Sequence, residues 1–189
     1  MENPPAAAPV LSPATAYVTT RMLKDVLTYG TAKGLRKFSL THPSAGKTGT
    51  TDDYRDAWFV GYTPQVITGV WVGYDKPRPG GKGFTGGAVA APVWERFMRK
   101  AAALRPAADF IRPETVVSVS IDPSTGSLAT SGCPEKYDEF YITGTEPAEY
   151  CSKHGGKGDN SPFTPSPKSA EDERQPESGS GEVPQGTLE

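Results

Sequence analysis

The chain has 189 residues, a length for one domain with extensions, and a formal net charge of −2, which gives no argument for a nucleic-acid or acidic-membrane partner. Its 35% hydrophobic content, with 21 glycines and 19 prolines, puts part of it outside any packed core. No run of about 18 apolar residues occurs, so no transmembrane segment is expected in this sequence, and MENPPAAAPVLSP has neither the basic start nor the apolar stretch of an export signal.

In chain order, residues 1–11 are rich in Pro and Ala and read as a linker. Ser12-Pro13 is a helix start, a hydroxyl N-cap followed by Pro at the first helical position. Val18, Met22, Leu23, Val26 and Leu27 recur at three- and four-residue spacing and predict an amphipathic helix, stopped by glycine near Tyr29-Gly30. Residues 31–44 read as a basic loop holding Arg36, Lys37 and His42; His42 has no ligand-spaced partner nearby and is taken as structural. Ala45–Thr51, Asp56–Tyr62 and Val66–Tyr74 read as strands, and connections this short imply an antiparallel three-stranded meander. Ile67, Gly69, Trp71 and Gly73 share one face of the third strand, where the glycines leave room for a helix, with residues 13–29 the natural candidate.

Residues 75–87 are a Pro/Gly loop, and 88–104 a second helix with Val93, Trp94, Phe97 and Met98 as its buried stripe. Arg96, Arg99 and Lys100 read as its solvated face. A linker over 105–114 leads to a strand at Thr115–Ile121, the turn Asp122-Pro123-Ser124-Thr125-Gly126, and a compact appendix ending at 154 that carries Cys133 and Cys151. Residues 155–189 hold seven acidic and three basic residues and almost nothing apolar, so a disordered acidic tail is expected.

The residues that carry chemistry stand at the head of the meander. Lys47, Thr48, Gly49 and Thr50 place one ammonium, two hydroxyls and a side-chain-free position in a row, a plausible anion-binding strand edge. Strand alternation puts Lys47 and Gly49 on one face and Thr48 and Thr50 on the other. Ser44-Ala45-Gly46-Lys47 also matches Ser-x-x-Lys, but a Ser and Lys one helical turn apart need a helix, and this pair enters a strand.

Lys47-Thr48-Gly49-Thr50, followed by Arg55-Asp56-Ala57-Trp58-Phe59-Val60-Gly61-Tyr62-Thr63-Pro64 and Val70-Trp71-Val72-Gly73-Tyr74-Asp75, resembles the C-terminal half of the transpeptidase domain of class A penicillin-binding proteins. The resemblance covers about residues 10–104. It extends more weakly to about 154, where Ile121-Asp122, Thr125-Gly126, Cys133-Pro134, Phe140, Gly144-Thr145-Glu146-Pro147 and Cys151 look like the C-terminal extension of some members. It implies an α+β chain that is part of the penicillin-binding/β-lactamase-like fold, an antiparallel sheet packed against helices, with a small β-rich appendix and a tail. It divides the chain into linker 1–11, transpeptidase portion 12–104, linker 105–114, extension 115–154 and tail 155–189.

The resemblance also implies a reaction: acyl transfer from D-Ala–D-Ala stem peptides in peptidoglycan cross-linking, on the extracytoplasmic face of the membrane, with β-lactams as substrate mimics. Lys47 would supply positive potential and assist proton relay. Thr48 and Thr50 would offer hydroxyls to the substrate carboxylate, Gly49 would let the substrate backbone lie close, and the Thr50 N–H would be an oxyanion donor. The family's helical Ser-x-x-Lys and its Ser-x-Asn are absent from this sequence, so the chain alone is expected to be inactive and to need the N-terminal half of the domain. No cofactor and no metal are expected. A non-catalytic partner-binding module and a β-lactam hydrolase of the same superfamily are the alternatives. Cys133 and Cys151 close a short loop and are read first as a disulfide, supported by family context outside the cytoplasm; a zinc half-site with His154, which would need His42 or a carboxylate to complete it, and two free thiols are the other readings.

Overall fold

The computed structural model describes residues 8–38 and 42–154, the side chains of 36–38 excepted. Two antiparallel sheets share one helix. Helix α1 spans Pro13–Thr28, and the Ser12 hydroxyl accepts from the Thr15 backbone N–H, the predicted cap. It is followed by a 3-10 turn at Lys33–Phe38. Strands β1 (Ala45–Thr50), β2 (Ala57–Tyr62) and β3 (Ile67–Val72) form the expected meander in the order β1-β2-β3. A π-helical turn at Gly86–Ala90 runs into α2 (Ala91–Ala102), with Pro92 tolerated in its first turn. Strands β4 (Val116–Ile121) and β5 (Tyr137–Ile142) make the second sheet. No helix among the described residues is long and apolar enough to cross a membrane. The expected tail at 155–189, and residues 1–7 of the expected linker, lie outside the described residues.

The larger core sits between α2, the C-terminal end of α1 and one face of the meander. It joins Leu27, Ala32, Leu35, Phe59, Ala90, Ala91, Trp94 and Met98. Trp94 is its centre: the indole is fully buried, meets Phe59 edge-on at 5.0 Å and donates its Nε1–H to the Gly61 carbonyl at 3.1 Å. A Cβ on Gly61 would stand 2.6 Å from the Trp94 ring, so glycine is required where the helix meets the strand. The second core joins Ala14, Tyr17 and Val116, with Phe110, Phe140 and Ile142 packed around them. Tyr17 meets Phe140 edge-on, and the Arg21 guanidinium lies 4.2 Å above the same ring.

Three expectations about faces are corrected. The β3 face of Ile67, Gly69 and Trp71 does not receive a helix: Ile67 is 71% exposed and Trp71 43%. The helices cover the opposite face, where Phe59 pairs with Thr48 and Val70. On α2, Val93 and Phe97 are half exposed, and the buried stripe is Ala91, Trp94, Glu95, Met98 and Ala102; the Glu95 carboxylate, fully enclosed, is reached by Arg99 Nε at 3.3 Å. On α1, Met22 is exposed and Tyr17 and Thr20 are buried, because this helix serves the second sheet as well as the first. α1 ends at Thr28, just before the Tyr29-Gly30 stop, and Gly30 also has a packing reason: a Cβ there would stand 2.7 Å from Val26 Cα.

Candidate active-site strand

The site is built on β1. Among the described residues β1 is the outer strand of its sheet, and only its β2 side is paired. The Thr51 N–H donates to Asp56 O at 3.1 Å, just past the strand's end. Antiparallel ladders alternate, so Gly49 and Lys47 also turn their N–H groups toward β2. Thr50 and Thr48 therefore turn their backbone groups to the open edge. Lys47 reaches the same edge, since its Nζ donates to the Thr48 carbonyl at 2.8 Å. A cation and an outward N–H thus stand side by side along one strand edge, an arrangement suited to an anion or to a carbonyl gaining negative charge.

The helix-side face of β1 is held by loops that the sequence reading left without a role. Gly86 N–H donates to Thr50 Oγ1 at 3.1 Å. The Thr50 hydroxyl accepts that bond and keeps its own proton to donate. Thr48 Oγ1 lies 2.7 Å from Thr31 Oγ1, so this hydroxyl is engaged with the segment after α1. Thr31 was not singled out from sequence; a lone Thr after Gly30 carries no local signal of a partner 17 residues on. The π-helical turn comes so close that a Cβ on Gly86 would stand 2.1 Å from Trp58 O and 2.6 Å from Gly49 O. Replacing Gly86 by Ala is expected to destabilise the chain by about 1–3 kcal/mol in urea unfolding, because backbone must move. Gly34→Ala, with open space around its Cβ, is the near-neutral control.

Beyond β1 the chain turns through Asp52–Tyr54, with Asp53 and Tyr54 at positive φ. Tyr54 O is held by Gly80 N–H at 2.8 Å, which brings the Pro/Gly loop to the end of β1. The Asp56 carboxylate ties this corner together, accepting from Thr51 Oγ1 and from Trp71 Nε1 at 2.9 Å. Ser44 stands just before β1 and gives its hydroxyl to the His42 carbonyl at 2.8 Å. Lys47, three residues on, spends its ammonium on Thr48. His42 Nε2 lies 3.3 Å from Arg105 O and links the basic loop to the end of α2.

A model of the penicillin-binding protein transpeptidase domain matches residues 1–99, more than half of the chain. The chain belongs to the penicillin-binding protein transpeptidase family. A second model, the C-terminal domain of penicillin-binding protein 1A, matches residues 112–156. The chain is 42% identical over 151 residues to penicillin-binding protein 1A of Aquifex aeolicus, and 42% identical over 140 residues to that of Pseudomonas aeruginosa. These matches cover 80% and 74% of this chain but only 20% and 17% of the relatives. The crystal structure of penicillin-binding protein 1A from Haemophilus influenzae superposes with a TM-score of 0.68 at 29% identity, over 75% of this chain and 22% of that one. The chain thus spans about a fifth of the length of the penicillin-binding proteins it matches, and that fifth holds the C-terminal part of the transpeptidase fold.

Cys133 and Cys151 are buried free thiols in this structure, beside Asp122 and His154.

Proposed function

We propose that β1 is the Lys-Thr-Gly wall of a peptidoglycan D,D-transpeptidase site, completed by a nucleophilic Ser-x-x-Lys and a Ser-x-Asn from the N-terminal half of the domain. The observation that carries this reading is the shared open edge of β1. The outward Thr50 N–H stands where an acyl oxygen would gain charge, and the Lys47 ammonium three residues earlier would bias the site toward a carboxylate. The Thr50 hydroxyl, already accepting from Gly86, donates to the terminal carboxylate of a stem peptide or to its β-lactam mimic. Gly49 keeps the strand bare so that substrate backbone can run alongside. Thr48 acts through Thr31, fixing the strand's pitch.

The exposed meander face supports the same reading. Trp58 and Trp71, 6.4 Å apart, with Val60 and Ile67 form an apolar patch on the face that Lys47 shares through its pairing with Val60. The rest of the transpeptidase domain would cover this patch, and its nucleophile would reach the β1 edge from that side. In the complete protein the site faces the periplasm or the outer side of the cell membrane.

The test is labelling with a fluorescent penicillin followed by intact mass. This chain, folded by circular dichroism, is expected to take no adduct. Joined to the upstream half of the domain it is expected to take one, on a serine of the added segment. An adduct on Ser44 of the isolated chain, or none on the joined protein, would overturn the reading.

A further inference from the structure

The four side chains gathered in the appendix have no part in acyl transfer. Asp122 directly follows β4, Cys133 closes a tight turn in which its N–H donates to Thr130 O, and Cys151 and His154 lie on one last turn of the described chain. Three separate segments thus bring two thiols, one imidazole and one carboxylate together, with all four donor atoms within 4.8 Å of one another. We propose that Asp122, Cys133, Cys151 and His154 bind a structural zinc ion, a site that staples the C-terminal extension.

The donor set is two sulfurs, one nitrogen and one oxygen, which suits tetrahedral zinc and leaves no open position for catalysis. Zinc–ligand bonds of about 2.0–2.3 Å put tetrahedral edges at about 3.3–3.8 Å. Cys151 Sγ lies 3.1 Å from Asp122 Oδ2 and 3.4 Å from His154 Nδ1, close to such edges. His154 Nδ1 and Asp122 Oδ2, at 2.5 Å, share a hydrogen bond that must open to admit the ion.

The surroundings are arranged for the same end. Ser124 N–H donates to Asp122 Oδ1 at 2.7 Å, which leaves Oδ2 aimed into the cluster as a single-oxygen ligand. Thr130 N–H donates to Cys133 Sγ at 3.3 Å, a bond that favours thiolate. A Cβ on Gly132 would stand 2.1 Å from His154 O, so this glycine lets the last turn close over the cluster. The apolar core of the extension is small, and a small domain gains most from a metal staple. Sequence alone showed Cys151-x-x-His154 and the need for His42 or a carboxylate to complete the set; it did not show that Asp122, 29 residues before Cys151, is the one brought near.

Binding replaces the two S–H protons by the ion and releases them, and the proton shared by His154 Nδ1 and Asp122 Oδ2 leaves with them or moves to His154 Nε2. The inference stands on the extension alone and is independent of the transpeptidase reading. Its test uses the full chain, expressed with zinc, dialysed and assayed for metal, then exchanged with cobalt. The expected results are one metal per chain, thiolate-to-cobalt charge transfer with the intense visible absorption of tetrahedral cobalt, and loss of both in Cys151→Ser and His154→Ala but not in His42→Ala. Removing metal with a chelator is expected to expose Cys133 and Cys151 to alkylation. Should the variants fail to fold, the cobalt spectrum of the unaltered chain decides. A chain that retains no metal, a cobalt form without thiolate charge transfer, or a Cys133–Cys151 disulfide in the isolated protein would overturn the proposal.

Discussion

Trp94→Ala is expected to lower the unfolding free energy by about 3–5 kcal/mol. The side chain is fully buried, fills the gap above Gly61 and Phe59, and holds the Gly61 carbonyl. Alanine would leave a cavity and remove the indole's hydrogen bond to the Gly61 carbonyl. A domain of this size has roughly 5–15 kcal/mol to lose, so the variant stands near the edge of folding. Phe97→Ala is the informative comparison: that ring is half exposed and its loss is expected to cost far less. Urea titration followed by far-ultraviolet circular dichroism measures both. Equal losses would mean that α2 presents a different face to the sheet.

The second large effect is on rate. In the complete transpeptidase domain, Lys47→Ala is expected to slow acylation by penicillin by about 10²–10⁴-fold, the range for a group that assists proton transfer in the transition state. The ammonium is exposed and its bonds are to Thr48, so the same change should leave the unfolding midpoint nearly where it was. Stopped-flow acylation with a chromogenic β-lactam gives the rate, and a melt of the same sample gives the control. A parallel fall in both would make Lys47 part of the scaffold and remove it from the site.

The meander was legible because its signals are local. Short polar turns between apolar runs permit little besides antiparallel neighbours, and Ser12-Pro13 can cap a helix without knowledge of the rest. Which face of each element is covered was not legible. Strand β3 carries Ile67 and Trp71 on one side and Val70 and Val72 on the other, so apolar content cannot choose between them. Helix α2 has the same ambiguity, with Val93 and Phe97 beside Trp94 and Met98. The choice follows from Gly61, whose missing side chain admits Trp94, and that is a contact between residues 33 positions apart. At the site, Lys-Thr-Gly-Thr named the strand, but the partners that set its hydroxyls, Thr31 and Gly86, come from loops without a motif. The cysteine cluster was hidden for the same reason, since Asp122 reads locally as nothing more than the first residue of a turn.

Helix α1 belongs to both cores at once, Leu27 to one and Ala14 and Tyr17 to the other. The two sheets therefore share one helix, and each buries apolar surface against it. The extension is thereby joined to the Lys-Thr-Gly strand through α1, as a brace behind a lever. A chain of contacts runs from the β4–β5 hairpin to α1, from α1 to the segment that follows it, and from Thr31 to Thr48. An inhibitor that wedged between hairpin and helix would disturb the pitch of the Lys-Thr-Gly strand without competing with a β-lactam for it.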